Sequence, residues 1–142
     1  MRGRAAYVSA VSDGQTVSIV DDDVSFLRAL HFLLRTAGFR VGVFASAEEF
    51  LRTASDTDAR CLVLDVHLGA RTGFEVHEGL AAAGRRIPTI FMTAHDDAPT
   101  RERARHLGAV AYLRKPFDDA TLIAAIAEAL GGVDAEPSRP VP

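Results

Sequence analysis

Carboxylates close two short apolar runs: Val17-Ser-Ile-Val20 opens onto Asp21-Asp22-Asp23, and Cys61-Leu-Val-Leu64 opens onto Asp65. A third run, Ile90-Phe-Met92, ends in Thr93, and a fourth, Val110 to Leu113, leads through Arg114 to Lys115, the one lysine among sixteen Lys and Arg residues. A single compact ammonium kept away from any basic cluster suits a short-range electrostatic task. Three or more carboxylates in one pocket repel unless a hard cation shares it. Mg2+ fits, because it takes few protein oxygens and completes its shell with water and phosphate; Mn2+ is the natural substitute. Asp21, Asp22 and Asp65 can supply the oxygens, with the backbone carbonyl of His67 as a further ligand. Asp23 is read as the cap of the next helix, where a carboxylate meets unpaired N–H groups. The plainer alternative makes all these aspartates solvated caps. It leaves Asp65 without an explanation, since a buried charge needs a partner or a metal.

Thr93 and Lys115 narrow the chemistry to phosphoryl transfer onto a carboxylate, which needs an in-line nucleophile and compensation for charge on three equatorial oxygens. Asp65 would attack, the metal would cover one oxygen and Lys115 a second, and the Thr93 hydroxyl with backbone N–H groups would cover the rest. The product is an acyl phosphate, whose new acceptor oxygens could draw Thr93 inward and vacate room for the ring of Tyr112. Tyr112 precedes Lys115 by three residues and is read on the same strand and edge; otherwise it is a core or half-exposed aromatic.

These residues need a scaffold that gathers strand ends on one rim. Short Val/Ile/Leu runs punctuated by helical segments read as buried strands of a parallel sheet, whose carboxyl ends collect ligand-handling groups. The spacing of Phe26, Leu27, Leu30, Leu33 and Leu34 predicts an amphipathic helix stopping near Gly38. Val41 to Phe44 is a second strand, and Ser46-Ala-Glu-Glu49 has the spacing of a capping box opening a short helix with Phe50 and Leu51 inward. Cys61 to Asp65 is the third strand. The loop His67 to Thr72 follows, then a helix starting near Gly73, continuing through Val76 and Leu80 and ending at Gly84. Ile87 to Thr93 is the fourth strand, entered through Pro88. Pro99 takes an early helical position ahead of Arg101 to Leu107. Gly108 stops that helix, Val110 to Leu113 is the fifth strand, and a last helix opens at Asp118 or Asp119 and runs through Leu122, Ile123, Ile126 and Leu130. The expected architecture is α/β, five βα units with helices on both faces of a parallel sheet.

With 142 residues and 48% hydrophobic composition, the chain can bury one core. Residues 1–15 read as a loose leader, 16–132 as the domain and 133–142, with Pro137, Pro140 and Pro142, as a disordered tail. A formal charge of -3 argues against direct nucleic-acid or membrane binding. The lone Cys61 reads as a core residue in a reducing compartment, and no stretch reaches the ~20 apolar residues of a membrane span, so the expected location is cytoplasmic.

Five segments in this order, Val20-Asp-Asp22, Leu64-Asp65-Val66, Gly73-Phe-Glu75, Met92-Thr-Ala94 and Tyr112-Leu-Arg-Lys-Pro-Phe117, resemble the receiver domain of bacterial two-component response regulators across residues 16–131. The pattern is similar to receivers of the FixJ/NarL type, which often carry a helix-turn-helix output domain. The resemblance implies a flavodoxin-like, CheY-like (βα)5 fold with strand order 2-1-3-4-5. It implies that Asp65 accepts phosphate from the phosphohistidine of a sensor histidine kinase or histidine phosphotransfer protein. Asp21 and Asp22 fall in the Mg2+ site. Thr93 and Lys115 become the signalling hydroxyl and lysine, Val66 and Ala94 backbone donors to the phosphate, Tyr112 the switch aromatic, and Pro116 the second residue of a cis peptide. The fourth helix, fifth strand and fifth helix form the output or homodimer face.

Two departures stand out. The family commonly has a Met-Pro-Gly turn after its aspartate, where this chain reads His67-Leu-Gly-Ala-Arg-Thr72, although Gly73 still falls eight places after Asp65. No output domain follows residue 132 of the chain, which is read either as a stand-alone receiver or as a fragment. His67 and His95 flank the site and could orient water during hydrolysis of the acyl phosphate; the plainer reading makes them exposed loop residues, and Arg71 solvent-facing. A dehalogenase-like Mg2+ phosphatase would need an aspartate where His67 stands. A receiver used unphosphorylated as a partner-binding module, or as a phosphate shuttle, are the remaining alternatives.

Overall fold

The computed structural model describes residues 16–131. The leader at 1–15 and the tail at 133–142 lie outside the described residues. The elements are β1 (Thr16–Val20), α1 (Val24–Thr36), β2 (Arg40–Phe44), α2 (Ala47–Leu51), β3 (Ala59–Asp65), a small hairpin of β4 (His67–Leu68) and β5 (Arg71–Thr72), α3 (Gly73–Ala82), β6 (Thr89–Thr93), α4 (Ala98–His106), β7 (Ala111–Arg114) and α5 (Asp119–Ala129). Five strands pair in parallel in the order β2-β1-β3-β6-β7. Without the hairpin this is the expected order 2-1-3-4-5.

Alternation along the central strands divides the core in two. Val17, Ile19, Cys61, Val63, Ile90 and Met92 face α1 and α5, where Leu27, Leu30, Leu34, Leu122 and Ile126 close an aliphatic layer. Leu62, Leu64 and Phe91 face the other way onto Phe50, Phe74, Leu80 and Ala104 from α2, α3 and α4. Rings concentrate on this second face, with Phe74 and Phe91 edge-to-face at 4.9 Å and Phe44 and Phe50 at 5.1 Å. Cys61 is fully buried, and burial pushes its thiol up to about 12, so it stays protonated as a core residue. At the amino-terminal edge of the sheet, Arg85 donates to the carbonyls of Ala54, Ser55 and Thr57 and ties down the turn before β3.

Helix starts differ in detail from the expectation. Ser46 accepts from the Glu49 N–H, but the Glu49 carboxylate reaches past the cap to the Ala45 N–H, so the box is open by one residue. The complete capping box belongs to Thr72 and Glu75 at α3. Among the described residues no helix is long and apolar enough to cross a membrane.

Candidate functional site

β1 and β3 are neighbours and run the same way, so Asp21, just past the end of β1, and Asp65, the last residue of β3, reach one rim of the sheet. Asp21 is fully buried, Asp65 is nearly so, and Asp22 is exposed. One carboxylate oxygen from each lies within 4.8 Å of the others. The donor set is all oxygen, without Cys or His, which suits a hard divalent cation. Asp23 stands apart from it: its side chain caps α1 by accepting from the Phe26 N–H at 3.1 Å, while its own N–H donates to Asp21.

Lys115 enters from the end of β7. Its Nζ donates to Asp21 Oδ2 at 2.8 Å and lies 3.5 Å from Asp65 Oδ2. Burial, then the charge of Asp21, push the Asp65 carboxyl up to about 6, against the pull of Lys115 and of the His67 N–H. One ammonium among three carboxylates leaves the pocket short of positive charge, and a bound cation would relieve it.

The loop after Asp65 takes a form that departs from expectation. His67-Leu68 and Arg71-Thr72 pair antiparallel around Gly69-Ala70, with Gly69 at φ 74°. A two-residue hairpin loop of this kind needs positive φ at its first central position, which glycine supplies in place of a Met-Pro-Gly turn. The hairpin then presents Thr72 as the α3 cap. Gly73 donates to the Val66 carbonyl and packs so tightly that a Cβ there would run into the Asp65 carbonyl. Arg71 is half exposed and pairs loosely with Glu48.

Thr93 ends β6 fully buried, but its hydroxyl is engaged in its own loop, accepting from the His95 N–H at 2.9 Å and donating to the His95 carbonyl at 3.2 Å. Ala94 beside it is exposed. His67 and His95 are exposed, with rings edge-to-face at 5.5 Å. The peptide bond between Lys115 and Pro116 is cis.

Two expectations need correction. The family resemblance makes the Val66 N–H a phosphate donor, but that N–H donates to the Met92 carbonyl at 2.9 Å, because pairing with β6 continues past Asp65. The donor facing the carboxylate is the His67 N–H, 3.4 Å from Asp65 Oδ1. Tyr112 and Lys115 do not share an edge. Tyr112 packs on the α2–α4 face and donates to Asp96 at 3.1 Å, whereas Lys115, just beyond β7, turns toward Phe26 of α1. An offset of three residues reverses side-chain direction along an extended chain.

Residues 17–127 match the sequence model described as the response regulator receiver domain. The protein belongs to the response regulator receiver family. Among curated relatives, the receiver is 40% identical to the response regulator protein TmoT of Ectopseudomonas mendocina over 80% of its own length and 52% of TmoT. It is also 40% identical to the transcriptional regulatory protein FixJ of Azorhizobium caulinodans, over 81% of its own length and 54% of FixJ. It thus spans about half the length of these relatives. Among solved structures, a response regulator receiver protein from Burkholderia phymatum is 44% identical with a TM-score of 0.73, covering 82% of this chain and 95% of that one. The protein is therefore a signalling module whose acidic cluster could hold a metal ion.

Two neighbours of the receiver site were not singled out from sequence for a place there. Asp96 accepts from both Tyr112 and Arg101, and Phe26 lies under the Lys115 ammonium. Phe26 keeps the spacing of any core-facing helix position, and Asp96 sits among acids suited to capping, so neither carried a distinct signal.

Proposed function

We propose that this receiver takes a phosphoryl group from the phosphohistidine of a sensor histidine kinase, or of a histidine phosphotransfer protein, onto Asp65. The observation that carries the reading is the buried pair Asp21 and Asp65 with Lys115 bridging them and Asp22 alongside. Asp21, Asp22 and Asp65, with the His67 carbonyl, would hold Mg2+, or Mn2+ in its place. When bound, the cation neutralises the carboxylates and draws charge from a phosphoryl oxygen. A carboxylate oxygen of Asp65 forms the new bond to phosphorus as the phosphorus–nitrogen bond of the donor breaks, its electron pair returning to the imidazole nitrogen.

Lys115, already 3.5 Å from Asp65, pairs with one phosphoryl oxygen. The N–H groups of His67 and Ala94 and the hydroxyl of Thr93 take others. For that, Thr93 must release the His95 carbonyl, which displaces the loop bearing Asp96 and frees Tyr112 to turn inward. The surface of α4, β7 and α5 thereby changes for a partner or a second copy of the chain. His67 and His95, facing each other beside the acceptor, tune how long the acyl phosphate survives. The same reading takes residues 16–132 as the receiver unit and the cytoplasm as its location. It assigns the chain no direct contact with nucleic acid or membrane.

Incubation with acetyl phosphate and Mg2+ followed by intact-mass measurement tests it. One added phosphoryl group in the wild type and none in Asp65→Asn is expected; no addition, or addition to both, overturns it.

A further inference from the structure

Phe26 belongs to none of the segments that carry the family likeness, yet its ring lies against the Lys115 ammonium. The Lys115 Nζ stands 4.4 Å from the Phe26 ring centroid. On its other side it meets Asp21 at 2.8 Å and Asp65 at 3.5 Å. The ammonium is therefore held between two carboxylates and the negative face of an aromatic ring, with 17% of the lysine side chain exposed. A cation within about 6 Å of a ring centroid is attracted by the ring quadrupole, and more strongly where water is excluded.

The ring is itself fixed. Phe117 meets it edge-to-face at 6.0 Å, and the Phe26 N–H is bound by the cap Asp23. Because Phe117 follows Lys115-Pro116 on the same loop, the lysine and one support of its platform move together.

We propose that Phe26 is a positioning residue for Lys115, a π-platform that keeps the ammonium over the pocket between Asp21 and Asp65. A lysine stem is a flexible chain of four carbons, and an ammonium is strongly hydrated. Without the ring, the open side of Lys115 would be met by water, which has to be shed whenever the ammonium turns from Asp21 to new charge at Asp65. The attraction reaches to about 6 Å from the ring centroid, so the ammonium, at 4.4 Å, can shift from Asp21 toward Asp65 without losing it. The catalytic part of this inference rests on Asp65 being the acceptor; the platform itself does not.

Lys115 is the one lysine in the chain, so lysine carrying an isotope label gives a single side-chain signal from the unphosphorylated protein. Its ε-CH2 protons should resonate upfield of free lysine because they lie over the ring, and Phe26→Leu should move them back. With acetyl phosphate and Mg2+, Phe26→Leu should be phosphorylated about five-fold more slowly, while Phe26→Tyr, which keeps the π-face, stays near the wild-type rate. A wild-type signal at the free-lysine position, a signal unmoved by Phe26→Leu, or a Tyr variant as slow as the Leu variant overturns the platform. Should the wild type take no phosphate, the acceptor reading fails, and the lysine signal still decides the role of Phe26.

Discussion

Helices α1 and α4 both follow a strand that ends in the site, yet they are anchored by different physics. α1 runs for 13 residues and buries Leu27, Leu30 and Leu34 against the sheet. α4 runs for 9 residues and buries only Ala104. Full burial of one leucine contributes roughly 1.5–3 kcal/mol, several times what an alanine methyl can offer. α4 is held instead by side-chain contacts at its surface: Arg103 to Glu78 at 2.6 Å and over the Phe74 ring at 5.2 Å, and Arg101 to Asp96 at 3.2 Å. Half-exposed pairs of this kind contribute about 0–1 kcal/mol each. In the proposed switch the difference matters: α1 stands behind Asp21, Asp22 and the Lys115 platform, which would stay fixed, while α4 hangs from the loop of Thr93 to Asp97, which would yield. Elements that move come from the weakly anchored end of a structure.

The largest effect should come from the strong anchor. Leu34→Ala should cost about 3 kcal/mol, read as a lower urea midpoint at unchanged slope. A loss no greater than that of an α4 surface variant would break the contrast between the helices.

Next comes the rim between them. Burial, and then the charge of Asp21, push the Asp65 carboxyl up to about 6, above its ordinary value near 4. Between those values the native state holds a proton that the unfolded chain has released, so stability falls as pH rises through this window and the cost is complete above it. Asp65→Asn should therefore be more stable than the wild type by about 2 kcal/mol at pH 7.5 without metal, and the gain should shrink toward pH 4. Mg2+ should stabilise the wild type and have little effect on the variant. Equal stability at pH 7.5 would mean that Lys115 already compensates the buried charge.

Much of this was legible in the sequence, for a physical reason. Strands buried on both faces are written as unbroken apolar runs such as Cys61 to Leu64, and a carboxylate closing such a run is conspicuous because burial would penalise it. The parts that escaped lack any such contrast. The β4–β5 hairpin has strands of 2 residues each, too short to show alternation. The commitment of the Val66 N–H depends on how far β3 and β6 stay paired, which is a property of two segments at once. The opposed directions of Tyr112 and Lys115 were legible, since an offset of three residues puts side chains on opposite sides of an extended chain, and the reading of a shared edge missed that alternation.

A smaller effect belongs to the latch beside α4. Asp96→Ala removes the acceptor shared by Tyr112 and Arg101 at a cost below about 1 kcal/mol. Burial first, and then the Asp96 carboxylate, push the Tyr112 phenol up to about 12. In a Tyr7→Phe background, where Tyr112 is the only phenol, spectrophotometric titration should show its pKa fall. Phosphorylation by acetyl phosphate should quicken, because fewer molecules are held in the resting loop. An unchanged phenol titration would remove Asp96 from the account of how α4 is held.

The smallest effect in global stability should be the sharpest test of the comparison. Arg103→Met keeps an aliphatic stem over Phe74 and discards the ion pair to Glu78, so its cost to unfolding should stay below about 0.5 kcal/mol. Local opening is a different quantity. If the guanidinium is a principal tether between α4 and α3, backbone amides of α4 should exchange with solvent several-fold faster in the variant, while those of α1, held by three leucines, keep the wild-type rates. Faster exchange in both helices would mean that the two open as one cooperative unit and that the weak anchor of α4 confers no independence on it.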